Sequence, residues 1–204
     1  MNPFPQIKFL LRITSTHDIA RRYFVVNGFD GALTMLGIIM GFYISEPANL
    51  VVIINACMGA AIALGVSGVS SAYVSEKAER RRELGKLEVA MVTDLQDSAH
   101  AQAARWVPVF IALVNGLAPL FISLLIIMPL WLSNAGIVMS FSPVYVSILI
   151  AVSLLFLLGV FLGRISNISW LRSGIQTLLI ALLTMLLIYL FVGGECEKSS
   201  LAYA

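Results

Sequence analysis

Residues 23–44 read YFVVNGFDGALTMLGIIMGFYI, an apolar run in which Asp30 is the sole charged side chain. At about 1.5 Å per residue, a helix of this length reaches across a hydrocarbon core of roughly 30 Å. The run therefore predicts a membrane-spanning helix, assigned to residues 23–45. A carboxylate inside such a span is unfavourable and by default marks a site with a partner or an ion. The rest of the chain is read outward from Asp30.

The composition agrees with a membrane setting. Hydrophobic residues make up 59% of the 204 positions, charged residues 12%, and the mean hydropathy is +0.94. A soluble domain carries about 25% charged residues. The net charge of +2 comes with no basic tract interleaved with aromatics, so no nucleic-acid partner is expected. Cys57 lies in an apolar run and Cys196 in a polar tail, which fits neither a disulfide framework nor a clustered zinc site. No short apolar core followed by a small-residue cleavage site precedes the first run, so that run is read as a retained span.

Further apolar runs predict spans at 50–73, 106–132, 143–162 and 170–192. Before the first, residues 1–14 mix Lys8 and Arg12 with apolar side chains and read as a surface segment. Ser15 and Asp18 read as a helix start. The second span is rich in small residues from Gly59 to Ala72, which let membrane helices approach closely. Residues 75–105 form the one extended polar segment, read as two short cytosolic helices, the first continuing span two, with a bend near Gly85. The fold class is all-α, a multi-pass membrane protein with five transmembrane helices and a short helical cytosolic segment.

Orientation follows from the basic residues. With five spans, the N-terminal segment, the segment after span two and the loop after span four share one side. These hold 12 of the 13 lysines and arginines, leaving only Lys198 opposite. That asymmetry predicts a cytosolic N-terminus.

With depths fixed, Asp30 lies one to two turns from the cytosolic end of span one. Asn27 and Thr34 lie at i−3 and i+4 from it. Ser67, Ser70 and Ser71 of span two, Asn115 of span three and Gln176 of span five fall at similar depth. These residues read as an ion path or as an internal hydrogen-bond cluster. The alternatives are that Asp30 caps a helix start or pairs with Arg21 or Arg22, and that the serines serve only helix packing. Glu76, Glu79 and Glu83 share a helix face and offer oxygen ligands of the kind hard divalent ions prefer. Arg80, Arg81, Arg82 and Lys86 beside them offer the competing reading, an ion-paired solvated helix. His100 with Asp94 and Asp97 is a weaker metal pattern. Gly65-Val66-Ser67-Gly68 matches the Gly-x-Ser-Gly of intramembrane serine proteases, but both histidines, His17 and His100, lie outside the spans. No base is then within reach of the serine, and the chain is read as not an enzyme, with no cofactor.

In these stretches the chain resembles the vacuolar iron transporter family, which carries Fe²⁺ and Mn²⁺ out of the cytosol. Asn27-Gly28-Phe29-Asp30-Gly31-Ala32 is similar to that family's Gly-x-Asn-Asp-Gly-Leu signature, with Asp30 on its metal-binding aspartate. Ser71-Ala72-Tyr73-Val74-Ser75 falls on the family's Gly-Glu-Tyr-Val-Ser. Phe156–Gly159 through Arg164, Leu171–Gly174 and Tyr189-Leu190 resemble its spans four and five. Ala72 and Gly68 stand where the family has a glutamate and a methionine, and the cytosolic segment is shorter. The resemblance implies a secondary transporter of divalent metal and a homodimer whose first two spans line the path. The rival expectation is a non-transporting metal sensor or assembly protein on the same scaffold.

Overall fold

The computed structural model describes residues 16–45, 49–93, 95, 98–138, 140–166 and 169–194. The N-terminal surface segment, Ser15, the turn at Glu46-Pro47-Ala48, Asp94, Asp97, Cys196 and the polar tail lie outside the described residues, as does the His100 side chain. Among the described residues the chain is all helical. Five helices follow one another: α1 Thr16–Ile44, α2 Leu50–Met91, α3 Ala99–Asn134, α4 Pro143–Ile165 and α5 Trp170–Ile188, which ends in a π-helical turn, Tyr189–Gly193. Each is long and apolar enough to cross a membrane, as expected of a multi-pass membrane protein.

The polar segment continues span two, as expected, but without the expected break near Gly85. α2 has 42 residues and runs without a break through Gly85 to Met91. Nothing lies within 4 Å of a side chain added at Gly85, so no packing force acts to bend the helix there. Leu87 and Met91, expected in a second short helix, belong to this extension. At about 1.5 Å per residue α2 measures roughly 60 Å, about twice the hydrocarbon thickness.

The chain divides into two compact units. The first comprises residues 1–27 and 65–118, and so takes the start of α1, the end of α2 and the start of α3. Its apolar core is Ala103, Val107 and Ile111, covered by Ile19 and Tyr23. Here α2 and α3 come into backbone contact. A Cβ on Gly116 would lie 2.5 Å from the Gly65 carbonyl oxygen, and one on Gly68 would lie 3.1 Å from the Gly116 Cα.

The second unit comprises residues 28–64 and 119–204. Its core gathers Met35, Leu36 and Ile39 of α1, Ile53 and Cys57 of α2, Ile126 and Leu130 of α3, and Leu155 of α4. Gly31 lies against Pro119, whose Cα would be 2.8 Å from an added Cβ. A proline in mid-helix frees a carbonyl and demands room, and a glycine opposite supplies the room. α4 starts with Pro143 in its first turn, where the missing N–H removes no helical bond. α5 packs on α4 through a narrow stripe: only Gly174, Thr177 and Ala181 are buried. Side chains added at Gly159 or Gly174 would overlap Thr177 or Phe156 respectively. Much of the remaining surface, including Leu179, Leu183 and Leu186 of α5 and Phe191 of the turn, is exposed and apolar. In water that surface would aggregate. Against lipid tails it is the ordinary solvent-facing surface.

Candidate functional site

In the first unit the polar side chains form an internal bracket. Asn115 is 4% exposed. Its amide nitrogen donates to the Gly68 carbonyl oxygen at 2.7 Å, and its amide oxygen accepts from Asn27 Nδ2. Asn27 Nδ2 also donates to the Tyr23 carbonyl oxygen of its own helix at 3.1 Å. The amide pair thus ties α1, α2 and α3 together. Ser67 and Ser71 are exposed, with the Ser71 hydroxyl donating weakly to the Gly68 carbonyl at 3.4 Å. Ala72 is 3% exposed.

The acidic face of α2 lies in the same unit. Arg80 sits between Glu76 and Glu83, with Nη1 donating to Glu83 at 2.8 Å and Nε 3.8 Å from Glu76. The Tyr23 hydroxyl donates to Glu76 at 3.2 Å. The Arg80 and Glu76 side chains are only 11% and 12% exposed, so this pairing is largely shielded from water. Glu79 is exposed and stands outside it. A guanidinium therefore occupies the space between two of the three expected ligands. Among the described residues, no three His, Cys, Asp or Glu side chains gather as a metal site. Tyr23 is not among the expected site residues. Its position opposite Glu76 depends on how α1 lies beside α2, which residue spacing does not report.

In the second unit Asp30 stands on the exposed side of α1. Among the described residues its carboxylate takes part in no ion pair or hydrogen bond. Arg21, one of its expected partners, pairs instead with Asp18. Only the Asp30 backbone is engaged, its carbonyl oxygen accepting the Thr34 hydroxyl at 2.7 Å. Gln176 is exposed on α5 and makes no hydrogen bond through its side chain among the described residues. The expected polar layer is therefore not one network. Asn27 and Asn115 form a closed pair, while Asp30, Ser67, Ser71 and Gln176 are each exposed on their own helices.

The exposed side of α2 has an unusual lining. Asn55, Gly59 and Ala63, four residues apart, are all exposed, and the same register continues along the helix to Ser67 and Ser71. Lipid-facing positions ordinarily carry large apolar side chains. Small and polar ones at this spacing belong where another helix comes close.

No family model matches the chain. It is similar to the uncharacterized protein MJ0645 of Methanocaldococcus jannaschii, at 32% identity over 180 residues that cover 87% of this chain and 91% of that protein. With that identity over nearly the whole of both sequences, the chain belongs to the same family as that protein.

Proposed function

We propose that the protein is a secondary transporter that moves a divalent metal ion, Fe²⁺ or Mn²⁺, out of the cytosol, with Asp30 as the carboxylate the ion meets inside the membrane. The carrying observation is that Asp30 is exposed on a membrane-spanning helix with no counter-charge among the described residues. Lipid tails do not solvate a carboxylate, so a cation, a hydrated path or another protein surface covers it. A second copy of the chain is the covering this reading adopts. The small and polar stripe from Asn55 to Ser71 supports close packing of that copy. Two copies then supply two carboxylates, which suits a hard divalent ion that takes oxygen ligands. Protons compete with the ion for the same oxygens, and that competition is the basis for proton antiport. The cytosolic side is the one that carries nearly all the lysines and arginines.

The test is uptake of Mn²⁺ or Fe²⁺ into proteoliposomes. Wild type moves the ion, and Asp30→Asn, which keeps shape and removes charge, abolishes most of the flux. Equal flux in the two proteins would take Asp30 out of the pathway. A second reading is a non-transporting metal sensor or assembly protein on this scaffold. The lack of any three-ligand cluster among the described residues favours it. Metal binding by calorimetry with no flux for either protein would select it.

A further inference from the structure

Glu76 and Glu83 of α2 share one arginine, and among the described residues the neighbouring cations form no ion pair. Tyr73, Lys77 and Arg81 recur every four residues along α2, so they form a separate stripe beside the Glu76–Arg80–Glu83 set. With Ala101, Ala104 and Arg105 of α3 they line a recess of about 470 Å³. All of these residues belong to the first unit. Among the described residues, Lys77, Arg81 and Arg105 form no ion pair. Among the described carboxylates of α2, Glu76 and Glu83 are engaged with Arg80 and Glu88 accepts the Leu95 backbone N–H, while Glu79 is exposed and pairs with none of the three cations. Lys77 is held in place by Tyr73, its Nζ donating to the hydroxyl at 3.1 Å and lying 5.1 Å from the ring centre.

The recess lies where two spans leave the apolar region. Tyr73 closes the apolar run of α2, and Arg105 directly precedes Trp106, which is 59% exposed at the start of the apolar part of α3. Tyrosine and tryptophan prefer the level of the lipid headgroups. Three cations without an ion pair among the described residues, against a wall of Tyr73, Leu84 and two alanines, match a group that is anionic at one end and apolar at the other. Two guanidiniums supply the forked donors that suit phosphate oxygens, and the ammonium adds a point charge.

We propose that this recess is a binding site for a phosphate group, presented by the headgroup of an anionic phospholipid. The lipid is favoured over free phosphate because the site lies at the headgroup level and part of its lining is apolar. Bound there, the lipid ties the polar extension of α2 to the membrane surface beside α3.

The experiment uses the full-length protein purified in a non-ionic detergent. Native mass spectrometry reads retention of dioleoylphosphatidylglycerol against dioleoylphosphatidylcholine, and thermal shift reads inorganic phosphate. The variants are R81Q/R105Q and, as a control that removes an arginine of the same helix outside the recess, R82Q. Retention of phosphatidylglycerol over phosphatidylcholine, lowered about tenfold or more by R81Q/R105Q and little by R82Q, supports the proposal. A phosphate shift lost in R81Q/R105Q, with no selective lipid retention, keeps the site but overturns the lipid as its source. Equal retention of the two lipids with no phosphate shift, or equal losses in R82Q and R81Q/R105Q, overturns the site. Circular dichroism confirms that each variant is folded, so a loss of binding is not a loss of structure.

Discussion

The Asn115 side chain donates to the Gly68 carbonyl oxygen at 2.7 Å, beside the point where α2 and α3 approach too closely for a side chain on Gly116. The contact and the hydrogen bond depend on each other. Only helices this close let a short amide reach a carbonyl on the facing backbone. Two variants separate the contributions. Asn115→Leu removes the hydrogen bonds and is expected to lower stability by about 1 kcal/mol, since such bonds in membrane proteins are modest. Gly116→Leu forces the helices apart and is expected to cost about 1–3 kcal/mol or more. Thermal unfolding in detergent gives both values. If Gly116→Leu unfolds no earlier than wild type, the close approach does not exist.

Gly68 lies 3.1 Å, measured from an added Cβ, from the Gly116 Cα, and Ala72 is 3% exposed on the same helix. In the resemblance to the vacuolar iron transporters, these positions fall where that family has a methionine and a glutamate. Introducing those residues here is expected to break this protein rather than improve it. Gly68→Met and Ala72→Glu should each lower the yield of folded protein on size-exclusion chromatography, the first by overpacking and the second by burying a charge. A well-folded double variant that moves metal faster than wild type would contradict this packing.

Asp30 gives an opposite expectation for stability and activity. An exposed carboxylate on a membrane helix opposes insertion, by up to about 3 kcal/mol at mid-membrane and by less nearer the surface. Asp30→Leu removes that penalty. The variant is expected to be at least as stable as wild type in thermal unfolding while carrying no metal in proteoliposomes. Groups kept against stability are kept for function. A variant that loses stability would assign Asp30 a structural partner instead.

Arg80 bridges Glu76 and Glu83 with little exposure of its own. Arg80→Gln leaves two carboxylates on one helix face, about two turns apart, with no cation between them. Breaking a fully buried pair costs about 3–5 kcal/mol and an exposed one below about 1 kcal/mol. Glu83 is 48% exposed, which discounts its share, so about 1–2 kcal/mol is expected here. The same change frees oxygen ligands. Mn²⁺ should therefore raise the melting temperature of Arg80→Gln more than that of wild type. Equal Mn²⁺ shifts would mean the arginine does not mask the acidic face.

The five helices are legible in the sequence because uncharged apolar runs of this length suit little besides a membrane span. Which side of each helix faces inward is not. In water a helix alternates apolar and polar sides, but in a bilayer both sides are apolar and the periodicity vanishes. The exposure of Asp30 and the burial of Asn115 thus leave no pattern in the sequence. Glu76, Glu79 and Glu83 are readable as one face, and so are the arginines beside them. That Arg80 takes two of the glutamates, leaving Lys77 and Arg81 without an ion pair among the described residues, depends on rotamers and on Tyr23 arriving from another helix. Gly85 suggests a bend on propensity alone, and a helix with nothing pressing on it has no reason to bend.

Val92 follows the last residue of α2 with a φ of +51°. A β-branched side chain in the left-handed region costs about 1–2 kcal/mol, and glycine avoids that penalty. Val92 is 92% exposed, so its side chain supplies no packing to offset the strain. The Thr93 N–H still reaches the Glu88 carbonyl oxygen at 3.4 Å, the kind of contact that ends a helix by turning the chain left-handed. Val92→Gly is expected to raise stability by about 1 kcal/mol. Val92→Pro, whose ring fixes φ near −65°, is expected to lower it. Hydrogen exchange should report the change in the last turns of α2, with protection rising in the glycine variant. Protection that falls there would mean the helix does not end in this turn.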